Sequence, residues 1–114
     1  MQVIHLFCVF GLLFSSCRPK KIDRESPELN FVKKGSKFRV NLAEKPSNGE
    51  SWVLRQDFNI KVLDQISTIW HGDEKGLDFN FFAADTGQTG LHFALIKYRD
   101  TLDVKTFIVK ISEK

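Results

Sequence analysis

From Leu29 onward the chain is written in short runs where apolar and polar residues take turns. Turn-forming residues interrupt these runs at intervals of roughly ten residues. A period of two is that of a strand whose side chains point alternately to the two faces of a sheet, and it leaves little room for an amphipathic helix. Leu29 and Phe31, then Phe38, Val40 and Leu42, alternate with polar neighbours, and Lys34-Gly35-Ser36 makes the turn between them. Trp52 and Leu54 lie on the next run, and Phe79 and Phe81 on a later one, with Asp78 and Asn80 opposite. After the turn Asp85-Thr86-Gly87, Leu91, Phe93 and Leu95 alternate with His92, Ala94 and Ile96. The last strand, from Val104, carries Phe107, Val109 and Ile111 on one face. Ile60 and Val62, with Leu63 and Ile66, make a fourth, less regular element, for which a helical turn is the alternative.

This pattern predicts an all-β fold, an immunoglobulin-like antiparallel β-sandwich of about seven or eight strands. The length of 114 residues suits one such domain, and the apolar side chains are dominated by 11 Phe against 2 Trp and 1 Tyr. Trp52, Phe79, Phe81, Phe93 and Phe107 are the expected inter-sheet core. The formal charge of +3 comes from lysines scattered over the whole length rather than gathered in a stripe, so no nucleic-acid partner is expected.

Before the alternation begins the composition changes twice. Val3 to Phe14 is apolar apart from His5, and about a dozen residues are too few to span a bilayer but suit the core of a signal peptide. Ser15-Ser16-Cys17 follows, and small residues before a cysteine at the end of such a run resemble the lipobox of bacterial lipoproteins. That resemblance implies a signal peptide over residues 1–16, a lipidated Cys17, and an exported protein held at the periplasmic face or cell surface by its lipid alone. Ordinary cleavage near the same point, with secretion, is the alternative. Cys8 would leave with the signal, so no internal disulfide is available to the mature chain. Lys20 to Glu28 is charged, holds Pro27 and has no apolar period. Residues 17–28 read as a tether, with a strand extension around Ile22 as the alternative, and residues 29–114 as the sandwich.

Little in the chain suggests catalysis. His71-Gly72-Asp73 would need further convergent ligands to hold a metal, and His92 lies within a strand. There is no nucleophile elbow, no phosphate loop opening a helix and no apolar-flanked carboxylate pair. Neither enzyme activity nor a metal or other cofactor is expected.

Three connections carry more information. Lys45-Pro46-Ser47-Asn48-Gly49 is a stiff, polar turn, because Pro46 fixes its own φ and restricts Lys45 while Asn48-Gly49 supplies φ > 0. It leads directly into the strand of Trp52. A second loop spans Trp70 to Gly76, and a third Tyr98 to Asp103. In order and spacing these connections resemble those of the chagasin-type inhibitors of papain-like cysteine peptidases. That family has an Asn-Pro-Thr-Thr-Gly loop before a Tyr-x-Trp-like strand start, then a Gly-rich loop, then Arg-Pro-Trp after a tyrosine-bearing strand. Lys45 stands here for the asparagine and Asn48 for a threonine. The second loop keeps its flanking glycines, and Asp100 and Thr101 replace proline and tryptophan.

The resemblance implies a monomeric, reversible and competitive inhibitor whose partner is a papain-family cysteine peptidase. Its contact residues would be Lys45, Pro46, Ser47, Asn48 and Gly49, then Gly72, Asp73, Glu74, Lys75 and Gly76, then Arg99, Asp100 and Thr101. The alternative is a non-inhibitory adhesion, assembly or ligand-binding module of the same fold. In that case Trp52 and Tyr98 are core residues and Arg99 a solvated charge.

Overall fold

The computed structural model describes residues 19–113. Val3 to Phe14 and Cys17, which carry the signal and lipid expectations, lie outside the described residues. Alternation becomes eight strands: β1 (Lys20–Ile22), β2 (Leu29–Lys33), β3 (Lys37–Leu42), β4 (Glu50–Leu54), β5 (Leu63–Trp70), β6 (Leu77–Ala83), β7 (Gly87–Lys97) and β8 (Asp100–Ser112). They form two four-stranded sheets, ordered β1-β3-β6-β5 and β2-β8-β7-β4. The fold is the expected all-β sandwich. Its interior pairings are antiparallel, but β1 joins β3 and β2 joins β8 in parallel.

Every second residue of the central strands points between the sheets. Phe38, Val40 and Leu42 of β3 and Phe79 and Phe81 of β6 meet Leu91 and Phe93 of β7 and Phe107, Val109 and Ile111 of β8, all buried. Phe93 is the hub, its ring centre 4.8 Å from that of Phe79 and 5.8 Å from that of Phe107, both edge-on. Phe38 stacks on Phe81 at 5.3 Å, within one sheet. Edge-on and offset rings add specific attraction to the area they bury. Trp52 is buried with them.

The structure departs from the sequence reading in four places. The charged run expected as a tether supplies β1, and Ile22 is buried in the core. Three residues suffice because β3 already offers a free edge, and one apolar side chain at the right parity seals the sandwich. In β2 the phase is reversed: Phe31 is 58% exposed, and Asn30 and Val32 face inward. Asn30 tolerates burial because its amide is satisfied. Its Nδ2 donates to the carbonyls of Arg24 (2.7 Å) and Ile108 (3.2 Å), and its Oδ1 accepts the Arg24 N–H (3.1 Å). The irregular element resolves into turns followed by β5, in which a bulge between Gln65 and Ser67 leaves Ile66 exposed. Finally, Trp70 ends β5 and Asp100 begins β8, so the second and third loops are shorter than expected.

Candidate functional site

The strand register decides where the three connections lie. Leu42, the last residue of β3, is paired with Leu77, the first of β6, and Leu77 is paired with Trp70, the last of β5. In the other sheet Glu50, which opens β4, is paired with Lys97, which closes β7, and Lys97 is paired with Asp100, which opens β8. Residues 43–49 run from the first of these groups to the second. All three connections therefore share one end of the sandwich, the first in the middle, the second on one sheet and the third on the other.

The first loop is exposed at its tip and bonded at its base. Pro46–Asn48 forms a single 3-10 turn, with the Asn48 N–H on the Lys45 carbonyl and the Gly49 N–H on the Pro46 carbonyl, both at 2.9 Å. Gly49 ends it at φ 79°, a conformation that costs little only without a Cβ. Lys45, Pro46, Ser47, Asn48 and Gly49 are all exposed. Below them the Trp52 indole N–H donates to the Ala43 carbonyl at 2.8 Å, and the buried Glu44 carboxylate accepts the Trp52 main-chain N–H at 2.6 Å. Trp52 is thus a core anchor for the loop rather than part of its exposed surface.

The second loop closes on itself: the His71 N–H donates to the Gly76 carbonyl and the Gly76 N–H to the Gly72 carbonyl, both at 2.8 Å. Asp73, Glu74 and Lys75 are exposed at its tip, while Gly76 is buried. A cluster on the outer face of the sheet holds the loop from beneath. Asn41 Nδ2 donates to the Lys75 carbonyl and to Asp78 Oδ1, each at 2.7 Å. His71 Nε2 lies 2.9 Å from Asp78 Oδ2, and Arg39 is 3.5 Å from Oδ1. A carboxylate this buried is tolerable because several donors converge on it. Gly76, at φ 75°, presses against the base of the first loop, where a methyl group would fall 2.5 Å from the Leu42 carbonyl oxygen.

The third connection, expected to run to Asp103, is a two-residue hairpin turn, Tyr98-Arg99. Asp100 and Thr101 are exposed strand residues paired with Lys97 and Ile96, and Arg99 is exposed at the tip. Tyr98 has φ 58° and is 82% exposed, so the reading of Tyr98 as a core residue does not hold. Its ring lies against the first loop, and a methyl group on Gly49 would be 3.3 Å from Tyr98 Cζ.

The first loop therefore touches both of the others, the second at its base through Gly76 and the third at its tip through Gly49. Pattern reading missed Glu44, a lone carboxylate whose burial depends on a strand eight residues on, and it set Trp70 in the second loop, whereas Trp70 ends β5 half exposed. It named Tyr98 without placing its ring against the first loop. An aromatic residue beside Arg99-Asp100, in a connection too short for a wide loop, is the signal that was there to use.

No known family matches the chain, and no curated protein matches it in sequence. In three dimensions it is similar to the cysteine protease inhibitor EhICP2 from Entamoeba histolytica, with a TM-score of 0.67 and 11% identity, over 83% of this chain and 94% of that one. At this identity the likeness establishes a shared fold.

Proposed function

We propose that the chain is a reversible, competitive inhibitor of papain-like cysteine peptidases that acts by laying its three-loop end across the active-site cleft. The observation that carries this reading is the convergence of three loops on one end of a rigid sandwich, with exposed tips and hydrogen-bonded bases. Pro46 to Gly49, the central tip, enters the cleft over the catalytic cysteine and histidine. Gly72 to Gly76 and Arg99 to Thr101 flank it. No bond is made or broken. A blocked cleft suffices, and loops ordered beforehand lose less entropy on docking. The similarity to a cysteine protease inhibitor supports the reading at the level of the fold. The inhibitor works as a monomer, exported and held at the membrane through Cys17.

The test replaces Pro46-Ser47-Asn48-Gly49 with a flexible Gly/Ser turn and compares it with the wild type against papain and against a serine peptidase. Wild type inhibits papain alone, stays uncut and loses potency as substrate rises, and the replacement remains folded with inhibition strongly weakened. Equal potency of the two proteins, or no inhibition by either, moves the function to the adhesion or ligand-binding module.

A further inference from the structure

We propose that Tyr98 is a contact residue of the peptidase interface, its ring the aromatic anchor that the third loop presents beside the first; this rests on the inhibitor reading above. The inference starts from the backbone. Tyr98 is the one non-glycine among the described residues with positive φ, at 58°. The first central position of a two-residue hairpin with this geometry ordinarily takes Gly, Asn or Asp. A bulky side chain at positive φ is costly, because its Cβ crowds the backbone. A residue retained there against such a cost usually offsets it by burial, yet Tyr98 is 82% exposed. The folded domain gains little from this ring.

What the strained turn achieves is placement. Tyr98 sits between the Lys97–Asp100 pair that ends the hairpin, and Lys97 is also opposite Glu50 at the exit of the first loop. The ring leans over Gly49, with Cζ, Cε1 and Oη all 3.3–3.4 Å from where a Cβ would stand. Glycine at position 49 thus serves two ends, ending the 3-10 turn and leaving room for the tyrosine. The result is one continuous surface made by the tip of the first loop and an aromatic face held at its side. Around it Lys45, Arg99 and Asp100 are charged and exposed, contributing little in that setting. A tyrosine fixed by its neighbour offers large contact area at low entropic cost, with a hydroxyl to bond at the rim, and such residues dominate interface energies.

Three variants of the 114-residue chain separate this role from a structural one. Tyr98→Asn removes the ring but keeps a residue suited to positive φ, Tyr98→Gly relieves the turn entirely, and Tyr98→Trp keeps an aromatic face. Binding to papain is measured by calorimetry and stability by urea denaturation. Tyr98→Asn and Tyr98→Gly are expected to unfold at the wild-type midpoint or above it and to bind papain at least about thirtyfold more weakly. Tyr98→Trp is expected to stay within about threefold of wild type, well inside the loss that marks a hot spot. Wild-type affinity in Tyr98→Asn, with binding lost on replacing Pro46 to Gly49, overturns the proposal and leaves the inhibitor reading standing. A lowered midpoint with unchanged affinity makes the ring structural and also overturns it. If the wild-type chain does not bind papain or any papain-like peptidase, both readings fall together.

Discussion

The carboxylate of Glu44 accepts the main-chain N–H of Trp52 at 2.6 Å, joining the two feet of the first loop by a bond that neither sheet supplies. β4 is the outer strand of its sheet, with β7 on one side only. The buried Glu44 takes up a donor on that open edge, and the Trp52 indole returns a bond to the Ala43 carbonyl. The chain between is then held at both feet while its tip stays free of the core.

Glu44→Ala leaves the Trp52 N–H without its acceptor. The expected cost is about 1–3 kcal/mol in urea denaturation, and Glu44→Gln, which keeps an acceptor oxygen, should recover most of it. Papain inhibition should weaken in the alanine variant even under conditions where it is fully folded. An unchanged midpoint in Glu44→Ala would show that the loop stands without this bond.

Gly76 holds the second loop against the first. Gly76→Ala adds a methyl group at φ 75° and sets it 2.5 Å from the Leu42 carbonyl oxygen, so backbone must move. A loss of roughly 1–3 kcal/mol is expected, with amide shifts by NMR at both Leu42–Ala43 and Gly72–Gly76. Shifts limited to the second loop would mean that the two are not mechanically joined.

The phase of the strands is open to a paired test. Phe93→Ala removes the ring that meets Phe79 and Phe107 and should cost about 3–5 kcal/mol. Phe31→Ala, on the outer face of β2, should change stability by no more than about 0.5 kcal/mol. Comparable losses from both would contradict the inward turn of Asn30 and Val32.

β1 is part of the domain if Ile22 matters to its stability. Ile22→Ala should lower stability by about 2 kcal/mol, and Lys21→Ala, one residue earlier on the exposed side, should have little effect. Equal midpoints for all three proteins would return this segment to a tether.

Cys17 as a lipid anchor predicts a mature N-terminus that carries acyl chains and fractionates with membranes. Mass spectrometry of the mature protein checks this directly, and an unmodified N-terminal residue would rule it out. Cys17→Ala should release the protein or leave an uncleaved precursor, without altering the unfolding midpoint of the domain.

The alternation of apolar residues by itself determined the fold class, most of the inter-sheet core and the existence of three polar connections. These are local consequences of strand geometry, since side-chain parity is set by the chain's own period. Only the tertiary structure decided the rest. Ile22 looks like a stray apolar residue in a charged run until β3 offers it an edge. Phe31 is a better core residue than Asn30 by composition, yet pairing with β8 and the bonds to Arg24 and Ile108 set the opposite phase. The candidate site was legible as three stretches of sequence but not as a surface. The contacts that make it one, Gly49 with Tyr98 and Gly76 with Leu42, join residues dozens of positions apart and depend on strand register, which no single strand carries in its own sequence.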